Sequence, residues 1–82
     1  MFVYTVLRVY SNGISVMDGT YSSKKKAQAE LDWRLRWCEK DGWSVNQVID
    51  LHFKHGAGIK ITPPSGDQRQ TECYFIVKQE VK

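Results

Sequence analysis

One stretch of helical period sits inside a chain that otherwise alternates. In "YSSKKKAQAELDWRLRWCEKDGW", residues 21–43, Ala27, Leu31, Leu35 and Cys38 recur at spacings of three and four. At about 100° per residue they form one stripe roughly 80° wide. On either side of it the apolar residues recur every second position, which is the period of a strand. A chain with one amphipathic helix and several such strands has few ways to bury both. The simplest is an antiparallel sheet with the helix laid across one face.

The alternating segments divide as follows. "FVYTVLRVY", residues 2–10, is rich in β-branched and aromatic types,. Its Val3, Thr5, Leu7 and Val9 share one face, and Tyr4, Val6, Arg8 and Tyr10 the other,. Asn12-Gly13 is a hairpin signal, so residues 14–21 read as the return strand,. Ser22 or Ser23 is placed to cap a helix over residues 24–41, and Gly42 to end it in the left-handed conformation,. Residues 45–54, 59–62 and 71–79 read as three further strands, with Gly56-Ala57-Gly58 as a turn and residues 63–67 as a loop,. The expected fold is α+β, in the order β-β-α-β-β-β: a single antiparallel sheet of about five strands with one helix packed on one face.

At 82 residues the chain makes one domain, residues 1–82, with a modest core,. Its hydrophobic content of 41% separates it from disordered chains, and its net charge of +3 permits acidic partners without demanding them,. Residues 1–10 alternate and contain Arg8, unlike a secretory leader, and no run approaches the ~20 apolar residues of a membrane span,. Cys38 and Cys73 fall on apolar stripes and read as buried thiols,. A protein of a reducing cytoplasm, with no membrane partner, is expected.

The helix carries two features that its own folding does not require. Trp33 and Trp37, an i,i+4 pair, lie roughly 120–160° from the core stripe, among Lys26, Ala29, Glu30, Arg36 and Lys40,. One sheet can cover only one of these stripes. Tryptophan and arginine are the residues most enriched at binding hot spots. Lys24, Lys25 and Lys26 occupy the first turn, where the helix dipole is already positive and each costs a few tenths of a kcal/mol,. Such a cluster suits phosphate or clustered carboxylates. Lys24, Lys25, Lys26, Trp33, Arg36, Trp37 and Lys40 are therefore the candidate contact face. Packing of Trp37 over the sheet edge and of Trp43 below the helix end is the purely structural alternative.

The segment "GTYSSKKKAQAEL" resembles the start of the last helix of double-stranded-RNA-binding domains, with Ser23, Lys24, Lys25 and Ala27 matching. That resemblance implies lysines straddling phosphates. It covers about a sixth of the chain. Gln28 stands where that family has another lysine, and the order of elements differs. In general style, a short basic single-domain chain with surface aromatics is similar to small phage-encoded inhibitors of the anti-CRISPR kind. That similarity implies stoichiometric occupation of a host protein or nucleoprotein complex in a bacterial cytoplasm.

Other constellations weigh less. His52 and His55 are three apart on or near a strand and point to opposite faces, which disfavours a shared metal,. Asp50 and His52 share a face but lack a nucleophile,. The open sheet face is a second candidate surface, on which Tyr4, Arg8, Tyr10, His52, Lys60 and Tyr74 would stack bases,. The expectation is a non-enzymatic binding protein without metal or cofactor, a phage or mobile-element inhibitor. A nucleic-acid-binding module using Lys24–Lys26 is the alternative, and a homodimer seam is a third use of either face.

Overall fold

The computed structural model describes residues 1–50 and 56–81. Their elements are β1 (Phe2–Tyr10), β2 (Ser15–Tyr21), α1 (Lys24–Lys40), β3 (Ser44–Asp50), β4 (Gly56–Thr62), a 3-10 turn (Gln68–Gln70) and β5 (Glu72–Glu80). The five strands form one sheet in the order β2-β1-β5-β4-β3, with every neighbouring pair antiparallel. The long strands β1 and β5 lie at the centre. The helix connects the two edge strands across one face, as the α+β reading expects.

That face holds the core. Ala27, Leu31 and Leu35 of α1 are buried against Val6 of β1, Ile61 of β4 and Tyr74 of β5. Tyr4, Tyr21, Cys38, Trp43, Val45, Ile59 and Ile76 pack around them. Cys38 and Cys73 lie on opposite sides of the sheet, since Cys73 pairs with Val9 on the far face. A disulfide between helix and sheet is therefore ruled out by position.

The local chemistry explains where α1 begins and ends. Ser23 is extended, and its Oγ accepts the backbone N–H of Lys26 at 3.2 Å,. At the other end Asp41 is the C-cap. The N–H of Gly42 donates to the carbonyl of Glu39 at 3.0 Å, and that of Trp43 to the carbonyl of Cys38 at 2.9 Å. This is the paired bonding of a Schellman ending, and Gly42 takes the required left-handed conformation at φ 87°,.

Two sequence expectations are corrected. The first hairpin is one residue longer than an Asn-Gly two-residue turn. Gly13 N–H donates to the Tyr10 carbonyl and Tyr10 N–H to the Ile14 carbonyl, so Ser11 and Asn12 are the central pair. Gly13, at φ 88°, follows them as the left-handed residue of a three-residue loop,. Second, Gly56-Ala57-Gly58 is not a turn: it opens β4, where Gly58 pairs with Val48 and Phe75. Residues 51–55, read as the end of a strand, lie outside the described residues; the described strand β3 runs Ser44–Asp50.

Gly58 is a strand glycine for a steric reason. A Cβ there would overlap the ring of Phe75 and sit 2.6 Å from the carbonyl oxygen of Tyr74,. Gly58→Ala is expected to destabilise the fold by about 1–3 kcal/mol, as overpacked sites do, measured by the urea midpoint.

Candidate functional site

The inner stripe of α1 is spent on the sheet, and the outer stripe is left to solvent. Trp33 and Trp37 are 52% and 50% exposed, which makes them surface residues of a size that normally seeks cover,. Their rings meet edge to face, with centroids 5.6 Å apart and planes at 84°,. Lys40 places Nζ 5.1 Å from the centroid of Trp37,. Lys25, Lys26 and Arg36 are exposed on the same side of the wheel; Glu30 borders it on one side, and Asp32 and Glu39 flank Arg36 on the other,. From Lys26 to Lys40 this surface spans about 21 Å of helix axis.

Six of the seven expected contact residues therefore share one face: Lys25, Lys26, Trp33, Arg36, Trp37 and Lys40. Lys24 does not join them. It sits in line with the core stripe and rims a groove of about 920 Å³ between the first half of α1 and strands β3, β4 and β5. Leu31, Ile49, Ile59, Tyr74 and Ile76 line that groove, so its floor is apolar. The lysine run is thus split around the helix by its 100° steps. No acidic residue lies in the first turn to offset it. Ser22 gives a local partner, its Oγ accepting from Lys26 Nζ at 3.2 Å.

The second expected surface does not form. Tyr4, Arg8 and Tyr74 lie on the helix side of the sheet, fixed there by the register that pairs Arg8 with Tyr74 and Val6 with Ile76. Tyr10 joins them, its ring 5.2 Å from the Arg8 guanidinium. Of the described residues assigned to a stacking platform, Lys60 is the one on the far face, paired with Cys73. His52, with the Asp50–His52 pair and His55, lies outside the described residues. Among the described residues no group of three metal-ligating side chains comes together.

Sequence reasoning missed one polar centre. The β1–β2 register slips between Val6 and Leu7, which leaves Asp18 as the extra residue of a bulge,. Its buried carboxylate accepts from Arg8 Nη2 at 3.0 Å and from Arg34 Nη1 at 2.7 Å. Arg8 also approaches Glu72 at 3.8 Å. One carboxylate thereby ties β1, β2 and α1 together. Burial opposes the charge of Arg8, but Asp18, with smaller contributions from Tyr74, Tyr10 and Glu72, outweighs it and holds the guanidinium above its ordinary pKa,. The available signal was a lone carboxylate beside Gly19 in an alternating strand, which is bulge chemistry,.

Comparison with known proteins found no matching family model, curated protein or solved structure. No helix among the described residues is long and apolar enough to cross a membrane.

Two protons in the core give a pH test. Burial, then Glu72 and Asp41, raise the Cys38 thiol, and burial, then Glu72, raise Tyr74. The unfolded chain releases both protons at lower pH than the native one. Stability from these groups is full below the ordinary thiol and tyrosine ranges and falls as pH rises through the native values. The urea midpoint is expected to drop between neutral pH and about pH 11, and to drop less in Tyr74→Phe.

Proposed function

We propose that the protein is a non-enzymatic binding protein that docks the outer face of α1 on an acidic surface of a host protein or nucleoprotein complex. It acts as a stoichiometric inhibitor of the small phage-encoded, anti-CRISPR kind. The observation that carries this reading is the half-exposed, edge-to-face Trp33–Trp37 pair framed by Lys25, Lys26, Arg36 and Lys40. Large aromatic area gives the anchor, and the surrounding cations give steering toward negative charge.

The ring geometry favours a protein over bases. Two stacking platforms need accessible, roughly parallel faces, and these planes stand at 84° with Lys40 over Trp37,. A perpendicular pair instead forms a ridge with an apolar crest and a polar edge, which suits a cleft between side chains. The nucleic-acid reading keeps one support, the three first-turn lysines, of which two lie on this face.

A photo-crosslinking residue placed at Trp33 and, separately, at Met17 tests the site in a bacterial lysate. The Trp33 position is expected to capture a discrete acidic polypeptide that the Met17 position does not. Against the purified partner, Lys25→Glu with Lys26→Glu is expected to slow association, and Trp33→Ala to raise the dissociation rate at least tenfold, about 1.4 kcal/mol. Adducts from the Met17 position alone would move the site off the helix. Salt-sensitive binding to DNA or RNA oligonucleotides, abolished by charge reversal at Lys24, Lys25 and Lys26, would favour the nucleic-acid reading.

A further inference from the structure

The helix covers the sheet unevenly. α1 runs from the β2 edge to the β3 edge, so its first half leaves the β3–β4 corner bare. The groove of about 920 Å³ that Lys24 rims is that corner. One wall is α1, with Leu31 at its base. The floor is Ile59, Tyr74 and Ile76, and the outer lip is Ile49, paired with Ala57. Leu31 and Tyr74 are buried, whereas Ile49 is 70% exposed. The apolar surface therefore continues from the core out to solvent along one concave strip.

The polar groups of the groove are few. Lys24, Gln28 and Gln47 line it, and there is no carboxylate among its described lining residues. Gln28 is turned along the helix, its Nε2 donating to Asp32 Oδ1 at 2.9 Å. The ammonium of Lys24 and the amide of Gln47 have no partner among the described residues. Lys24 also stands at the first helical position, where the dipole is positive and no acidic residue of the first turn offsets it,. A cation is unfavourable there and gains no contact within the chain; it faces an apolar groove instead. We infer that this groove binds an aliphatic carboxylate, its hydrocarbon chain over Ile49, Ile59 and Ile76 and its head group at Lys24.

Three features select that ligand. The volume lies within the roughly 300–1,000 Å³ of small-molecule sites. The lining is branched aliphatic with one ring, so the part of a ligand it draws out of water is hydrocarbon,. One cation balances one negative charge, and a dianionic phosphate would leave a charge unmatched beside an apolar floor. Lys24 is exposed at the rim, which lets the carboxylate keep part of its hydration while the chain gives up its own,. Lys25, Lys26 and the tryptophans lie on the outer side of α1, so this ligand and the docking partner proposed above would occupy different surfaces.

Titration of the full chain with octanoate and decanoate, followed by amide chemical shifts in heteronuclear NMR, tests this. Decanoate is expected to give saturable shifts centred on Leu31, Ile49, Ile59 and Ile76, with Trp33 and Trp37 unmoved. Each added methylene tightens binding about fourfold, so decanoate is expected to bind about fifteenfold tighter than octanoate. Lys24→Glu is expected to weaken decanoate about tenfold and to strengthen decylammonium, a cation with the same tail. Lys25→Glu makes the same change in net charge on the outer face and is expected to alter decanoate affinity less than about twofold. Ile49→Asp, at a position the free protein leaves exposed, is expected to abolish saturation while the amide spectrum keeps its folded dispersion. No saturation by about 2 mM decanoate would overturn the inference. So would equal effects of Lys24→Glu and Lys25→Glu, which would reduce binding to net charge, or shifts centred on Trp33 and Trp37, which would move the ligand to the ridge.

Discussion

Everything in this molecule depends on three side chains of one helix. Ala27, Leu31 and Leu35 are the buried residues of α1, and α1 is the one helix that covers the sheet. Their contact with Val6, Ile61 and Tyr74 is the centre of the core. Removing Leu31 to its Cβ would forfeit about 2–5 kcal/mol at such a site, a large share of the stability of a small domain. The Schellman ending at Gly42 and the Asp18 clamp serve that contact: one stops the helix where β3 must begin, and the other fixes its lateral position through Arg34.

The same economy creates the surfaces. A helix of 17 residues has a circumference that one sheet cannot cover, and a five-stranded sheet has an area that one helix cannot double-cover. A chain without further use for the outer helix face would make it polar. This one places Trp33 and Trp37 there, half-exposed and in contact edge to face. The ridge is aromatic and cationic, which is the character the proposed acidic partner surface would match.

Much of this was legible in the sequence because periodicity reports faces. The 3.6-residue stripe located the core side of α1, and the same wheel put Trp33, Arg36, Trp37 and Lys40 outside. Alternation correctly separated Val3, Leu7 and Val9 from Tyr4, Val6 and Arg8. It could not say which set met the helix, and Arg8 and the tyrosines were assigned to the open face as polar residues. Asp18 explains the miss: its buried carboxylate, with Glu72 nearby, makes the helix side hospitable to Arg8. That partnership spans three elements and leaves no local signature beyond the bulge. Lys24 was grouped with its neighbours by adjacency in sequence, although the helix turns it toward the groove. Gly58 read as a turn residue because glycine signals turns more often than it signals a ring lying on a strand.

The central claim is that α1 keeps its tryptophans for contact and not for folding. Equilibrium urea unfolding of the Trp33→Ala, Trp37→Ala double variant, followed by far-ultraviolet circular dichroism, addresses it without any partner in hand. The account predicts a loss below about 1.5 kcal/mol, the scale of one edge-to-face ring pair. A loss of about 3–5 kcal/mol, as for a buried tryptophan, would make the pair part of the core and contradict the claim.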